Sequence, residues 1–423
     1  MKTRKIYAII AAAIMALTAA GCSSVNTASS STSSSTSSSA STKAALQQSE
    51  GTTTNALAAT SVSSDSGDLF SNRDLEQEAD LEGAAQITVK DGETFEITSE
   101  GVYIISGSAK NCTVKVNTDN ESKVQLVLDG VTVENEDFPA IYVVSCDKCF
   151  ITTTDSENSL SVTGSFVSDG ETKTDAVIFA KDDIVLNGKG VLNITSSQGN
   201  GISGKDDIKV TGGTYSITCA KDAIEANDSI LINDGTFSIS TQKDGLHAED
   251  DSDDTQGIIR ILGGTFSIKA GSDGIQATAL VQIDGGSLVI NASEGIEATY
   301  VKMNGGSVNI TASDDGINAS NKSSAYDPTV DINGGELTIS MGQGDTDAID
   351  ANGSIYVNGG TINITAPTSS FDYDKTAEFN GGTIIINGEE VSEIPQSMMG
   401  GPGGMGGRGG MGGNNGGRGG RFM

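Results

Sequence analysis

Short runs in which apolar and polar residues alternate recur along this chain every 21 or 22 residues. One such unit, from Asp222 to Lys243, holds three of them: Ile224-x-Ala226, Ile230-x-Ile232 and Phe237-x-Ile239. The same places carry Ile275/Ala277, Val281/Ile283 and Leu288/Ile290 in a later unit, then Ile296/Ala298, Val301/Met303 and Val308/Ile310. Period-two alternation puts one set of side chains on a buried strand face and the other set outside. Three strands and three turns in 21 or 22 residues is the size of one coil of a parallel β-helix, and a fixed register marks a solenoid. The coil start reads Asn200, Asp222, Asp244, Asp273, Glu294, Asp315, Asp347, with gaps of 22, 22, 29, 21, 21 and 32. Two coils therefore carry insertions, of 7 and 11 residues. The expected fold is all-β.

The turns agree with that frame. Paired glycines at 212–213, 263–264, 285–286, 305–306, 334–335, 359–360 and 381–382 fall at one coil position, where glycine supplies a positive φ. Strand signals continue upstream with a looser pattern, in Gly101-Val-Tyr-Ile-Ile-Ser-Gly107, Val124-Gln-Leu-Val-Leu-Asp-Gly-Val131 and Ala140-Ile-Tyr142. Terminal coils are expected to be irregular, because an open end exposes strand edges. The repeat domain is bounded at 86–396.

Outside it the composition changes. Lys2, Arg4 and Lys5 precede an apolar run from Ile6 to Leu17 and the sequence Ala19-Ala-Gly-Cys22. This reads as a lipoprotein signal peptide over 1–21, with Cys22 as the lipid-modified first residue and the extracellular face of the cell membrane as the location. Residues 22–85, Ser/Thr-rich in their first part, read as a flexible tether. Residues 397–423, rich in Gly, Met and Arg, read as a disordered tail. A net charge of -31 and the absence of Trp exclude a nucleic-acid partner and a large aromatic core, and favour cations or ligands that arrive through them. Of the remaining cysteines, Cys112, Cys146, Cys149 and Cys219, the spacing of Cys146 and Cys149 admits a local bridge. With one His in the chain there is no zinc-finger set, and packing thiols are expected.

Aligning the coils exposes two acidic stripes. The first lies in the turn after the first strand: Lys181-Asp182-Asp183 over Lys205-Asp206-Asp207, then Asn227-Asp228-Ser229, then Glu249-Asp250-Asp251. Coils stack about 4.8 Å apart, so these carboxylates either splay into water or hold a cation. Calcium suits them, since it takes several carboxylate and carbonyl oxygens in flexible geometry; the candidate ligands are Asp182, Asp183, Asp206, Asp207, Asp228, Asp250 and Asp251. The second stripe is the coil start itself, where Asp-Gly reads as turn chemistry. Between them runs the outward row of the first strand, Ser203, Glu225, His247, Gln276, Glu297, Asn318 and Asp350. It reads as a flat, polar, solvated bed for an extended polymer.

The phrases at Gly101, Val124 and Ala140, the blocks Lys181-Asp-Asp-Ile184 and Asn200-Gly-Ile-Ser-Gly-Lys-Asp-Asp-Ile208, and the Gly/Met/Arg tail resemble a bacterial family of carbohydrate-binding β-helix lipoproteins. That family is typified by a clostridial surface protein that binds cellulose and acidic pectic polymers. The resemblance implies a right-handed parallel β-helix similar to polysaccharide lyases, with bound calcium and affinity for carbohydrate. It marks Lys181, Asp182, Asp183, Lys205, Asp206 and Asp207 as the recurrent block. The insertion at 249–257 departs from the pattern.

Three functions are compatible with this reading. The first is calcium-dependent binding of an acidic, pectin-like polysaccharide, or of cellulose, without catalysis. The second is a calcium-dependent lyase with Lys205 or Lys181 as base. The third is a calcium-stiffened surface spacer. No Ser/His/Asp set, phosphate loop or dinucleotide fingerprint is present.

Overall fold

The computed structural model describes residues 69–344 and 346–395. The expected signal peptide, Cys22, residues 22–68 of the tether and the tail from 397 lie outside the described residues. Those described form 36 strands and no helix. They assemble into a 12-stranded sheet and a 24-stranded sheet. Every pairing between successive coils is parallel; the exception is Glu389–Val391, which turns back antiparallel on Thr383–Ile386 and caps the end. This is an all-β protein with long parallel ladders, consistent with a β-helix solenoid. The two sheets share no strand pairing among the described residues, so the coils are not closed into one hydrogen-bonded tube.

The register follows the repeat. Ile202 pairs with Ile224, Ile224 with Leu246, Leu246 with Ile275, and the series continues through Ile296, Ile317 and Ile349 to Phe371. All of these side chains are buried. On another face Tyr215, Phe237 and Phe266 fall in one column, their rings stacked at 5.2 and 4.5 Å between centroids. Each coil buries the apolar face its neighbour cannot cover alone, which is why the stack is the folding unit.

The two glycines of each turn have different reasons. At Gly306 φ is +82°, a region that side chains disfavour. At Gly305 a Cβ would come 2.7 Å from the Asp284 carbonyl oxygen of the preceding coil. A chain of side-chain amides runs beside these turns: Asn304 donates to Asp284, Asn333 to Asn304, Asn358 to Asn333 and Asn380 to Asn358, at 2.6 to 3.1 Å.

The tether expectation needs correcting over 69–85. Phe70 and Asp74 are buried there, and the Arg73 guanidinium lies 4.5 Å over the Phe150 ring. Gln77 accepts from the Gly188 N–H at 2.9 Å and donates to the Thr211 carbonyl at 3.1 Å. Glu78 pairs with Lys189. A polar segment is held because it satisfies backbone groups on two coils and pairs with side chains beside them, not because it brings a large apolar face.

The four cysteines are buried free thiols, with no bridge between Cys146 and Cys149. Burial pushes Cys112 and Cys219 up to about 11 and Cys146 up to about 12, so all of these stay protonated and unreactive near neutrality.

The aromatic column is the sharpest test of coil-on-coil packing. Phe237→Ala removes the middle ring and should cost roughly 3–5 kcal/mol. A clear drop in the guanidinium unfolding midpoint is expected; an unchanged midpoint would show that the column contributes little.

Candidate functional site

The outward row of the 12-stranded sheet is one continuous column. It runs Lys115, Tyr142, Phe179, Ser203, Glu225, His247, Gln276, Glu297, Asn318, Asp350 and Asp372, each paired with the next. The structure thus brings together all six expected binding residues, Ser203, Glu225, His247, Gln276, Glu297 and Asn318. They are not a fully solvated bed. Ser203 and His247 are buried, and Glu225, Gln276, Glu297 and Asn318 are half-buried. In a column every side chain has a neighbour above and below at about 4.8 Å, which shields even outward positions.

The row is tied together by polar contacts. The Glu225 carboxylate accepts from Asn200 Nδ2 at 2.6 Å and Ser203 Oγ at 2.9 Å. Glu297 accepts from Ser320 Oγ at 2.9 Å and pairs with Lys322 at 2.6 Å. The Gln276 amide donates to Asp244 Oδ2 at 3.1 Å and turns its oxygen toward Lys322. At the other end the row becomes aromatic. Tyr142 and Phe179 pack edge-on with ring centroids 5.9 Å apart, nearly completely buried, and Lys205 lies 5.8 Å from the Phe179 ring centre. This aromatic head was missed in the sequence; the looser upstream strands carry its signal only once their register to Ser203 is known.

The coil-start stripe lies inside the stack: Asp222, Asp244 and Asp273 are buried. The turn role is real: Asp222 Oδ1 accepts the Asp244 N–H, Asp244 Oδ1 the Asp273 N–H and Asp315 Oδ1 the Asp347 N–H, each at 3.0 Å. The backbone takes one oxygen of each, and the second oxygen of Asp222 pairs with Lys243 at 2.9 Å while that of Asp244 accepts from Gln276 at 3.1 Å. Burial raises these acids, and their neighbours raise them further. Asp273 is pushed up to about 7 by burial and then by Asp244 and Glu297. Glu294 reaches about 7 through burial, Glu297 and Asp273, and Asp350 about 7 through burial, Asp315 and Asp347. Asp222 is the exception. Burial opposes its ionisation, but His247 and Lys243 outweigh that and hold it at about 2.

The turn stripe carries the expected oxygen donors with uneven fit. Asp206 is pushed up to about 6 by burial and by Asp228, Asp183, Asp182 and Asp207, which shows how closely these acids crowd. Asp183 and Asp228 are raised for the same two reasons. An all-oxygen set under mutual repulsion fits calcium. Asp182 and Asp183 each spend an oxygen on a backbone N–H of an adjoining coil, at 3.0 and 3.3 Å. Asp250 is close enough to raise Asp228, but its carboxylate caps its own turn through Ser252, and Asp251 beside it is exposed. Lys181 is exposed too.

With this geometry in place, a family model described as carbohydrate-binding domain-containing protein matches residues 91–348. The chain belongs to this family. A carbohydrate-binding domain-containing protein of Acetivibrio thermocellus is 32% identical over 124 residues, which is 29% of this chain and 43% of that relative. The match therefore spans less than half of that relative's length. A solved structure, the polysaccharide lyase-like protein from C. thermocellum as a gadolinium derivative, aligns at 22% identity and a TM-score of 0.32. The alignment covers 74% of this chain and 100% of that one.

Crowded, raised acids make stability depend on pH. Asp273, Glu294, Asp315 and Asp350 fall from folded values of about 6 to 7 to ordinary carboxylate values on unfolding, so the folded state binds more protons. Their stabilisation is complete below about pH 4 and is lost as pH rises through about 7. Asp222 works the other way, but its window lies between its ordinary value and about 2, outside this range. In chelator the melting temperature should fall between about pH 5 and pH 7.5, and Asp273→Asn with Glu294→Gln should flatten that fall. A melting temperature that rises over the same interval would contradict the assignment.

Proposed function

We propose that this protein is a non-catalytic, calcium-dependent binder of acidic, pectin-like polysaccharide at the outer face of the cell membrane. In this reading a right-handed parallel β-helix is held to the membrane through lipid on Cys22 and a tether. The observation that carries it is the unbroken outward row from Ser203 to Asp372, eight coils spanning roughly 34 Å at the strand spacing, with the coil-start acids Asp222 to Asp347 on one side and the turn-stripe acids Asp206 to Asp251 beside its first three coils. A row of that length with one polar side chain per coil matches an extended polymer better than a compact small molecule.

Calcium bound at the turn stripe would neutralise carboxylates and bridge to sugar carboxylates. The chain's own groups set the rest. Asp182, Asp183, Asp206, Asp207 and Asp228 supply oxygens, while Glu225, Gln276, Glu297 and Asn318 offer hydrogen bonds to hydroxyls. Cellulose is the weaker candidate, because the aromatic surface that would stack on glucose rings, Tyr142 and Phe179, is buried. Family membership supports the carbohydrate partner; calcium and the acidic polymer rest on the carboxylate columns.

Immobilised polygalacturonate is the direct probe. The full-length chain should be retained in calcium and released by chelator, with no rise in the ultraviolet absorbance of unsaturated product. Asp183→Asn with Asp206→Asn should weaken retention by about tenfold, equivalent to ~1.4 kcal/mol. An absorbance rise that disappears in Lys205→Ala would replace this reading with a lyase. Calcium-independent retention would remove the bridging role.

A further inference from the structure

We propose that His247, Asp222 and Asp244, with Glu225 beside them, form a site for a first-row transition-metal dication of the zinc class, separate from the oxygen-only turn stripe. Three observations converge on it. Asp222, Glu225 and His247 are the one group of three such residues among those described whose ligand atoms all lie within 4.8 Å of one another. His247 is more than nine-tenths buried, and its Nδ1 has no partner at good hydrogen-bond geometry, its contact with Asp222 being long. That nitrogen lies 3.5 Å from Asp222 Oδ2 and 3.7 Å from Asp244 Oδ2. Ligands held at about 2.0–2.1 Å by a tetrahedral metal stand roughly 3.3 Å apart, so the two Nδ1–carboxylate separations need only a small contraction.

The far side of the ring is arranged to match. His247 Nε2 is 3.1 Å from Glu249 Oε2, the carboxylate partner that fixes the tautomer of a metal-bound imidazole and leaves the other nitrogen's lone pair free. In that tautomer Nδ1 faces two carboxylate oxygens, and a positive charge must sit between them. An imidazole among carboxylates selects a zinc-class ion over calcium, which prefers oxygen throughout. The Lys243 ammonium supplies charge at present, 2.9 Å from Asp222 Oδ2 and 3.6 Å from Asp244 Oδ2. Its side chain is half exposed and can swing into water when an ion enters. Glu225 and His247 both belong to the outward row, so the ion would sit on the face along which the polymer is proposed to run.

The alternative occupant of the gap is a proton on Nδ1, and the chain offers a clean discriminator because it contains a single histidine. Full-length, untagged chain labelled with nitrogen-15 histidine gives one imidazole, observed in excess calcium while one equivalent of zinc chloride is added. The expected result is a large shift of the Nδ1 resonance with Nε2 still protonated. An imidazole that ignores equimolar zinc and titrates as a simple imidazolium would overturn the proposal. Zinc calorimetry supplies a second arm. His247→Gln should weaken binding by more than about tenfold, and Lys243→Ala, which removes the competing ammonium at a half-exposed position, should tighten it. Equal zinc affinity in His247→Gln would assign the ion to the acid columns instead and would equally overturn the site. Because every arm is read in excess calcium and without sugar, failure here would leave the polysaccharide reading standing.

Discussion

Coil-on-coil stacking at strand spacing governs everything else in this molecule. A side chain on a given coil has its counterpart about 4.8 Å above and below, so each position becomes a column and each chemical choice is multiplied along it. Apolar columns gain from this, as in the rings of Tyr215, Phe237 and Phe266. Amide columns gain as well, because each side chain has both a donor and an acceptor and the series from Asp284 to Asn380 closes one bond per coil. Carboxylate columns lose, because they carry acceptors only and repel.

Aspartate nevertheless recurs at the coil start, and the backbone explains why. One oxygen of Asp222, Asp244 and Asp315 takes up an N–H of the following coil that the strand ladder does not reach. Local hydrogen bonding therefore fixes the residue type, and charge accumulates as a consequence. The chain relieves that charge differently along its length. Around Asp222 it places Lys243 and His247. Farther along, at Asp273, Glu294, Asp315 and Asp350, burial and mutual repulsion leave acids that hold a proton close to neutral pH. A cation bound in such a column would replace that proton and so couple folding to ion binding.

The repeat made the ladders legible before any coordinates, since Ile224, Leu246 and Ile275 follow from register alone. The same arithmetic placed Ser203, Glu225 and His247 in one row. It did not give their exposure, because burial of an outward side chain depends on the length and pairing of its neighbours, as with Ser203 beneath Glu225. It also missed Tyr142 and Phe179, whose coils are too irregular to align without the structure. Composition alone marks 69–85 as tether; what binds these residues is Gln77 and Asp74 meeting particular backbone and lysine groups, which composition does not encode.

The distribution of positive charge bears on whether such a face binds or cleaves. A base that removes a proton beside a uronate must be free, and the substrate's carboxylate needs a cation to meet it. On this face Lys322 is committed to Glu297 and Lys243 to Asp222, while Lys205 lies over the Phe179 ring. Two of these lysines are thus held by the protein's own acids rather than turned toward a substrate. If the polymer is anionic, as proposed, it would approach a surface that is itself anionic, and contact would become favourable only through cations shared between the two. Under that proposal the affinity would be set by the ions around the protein.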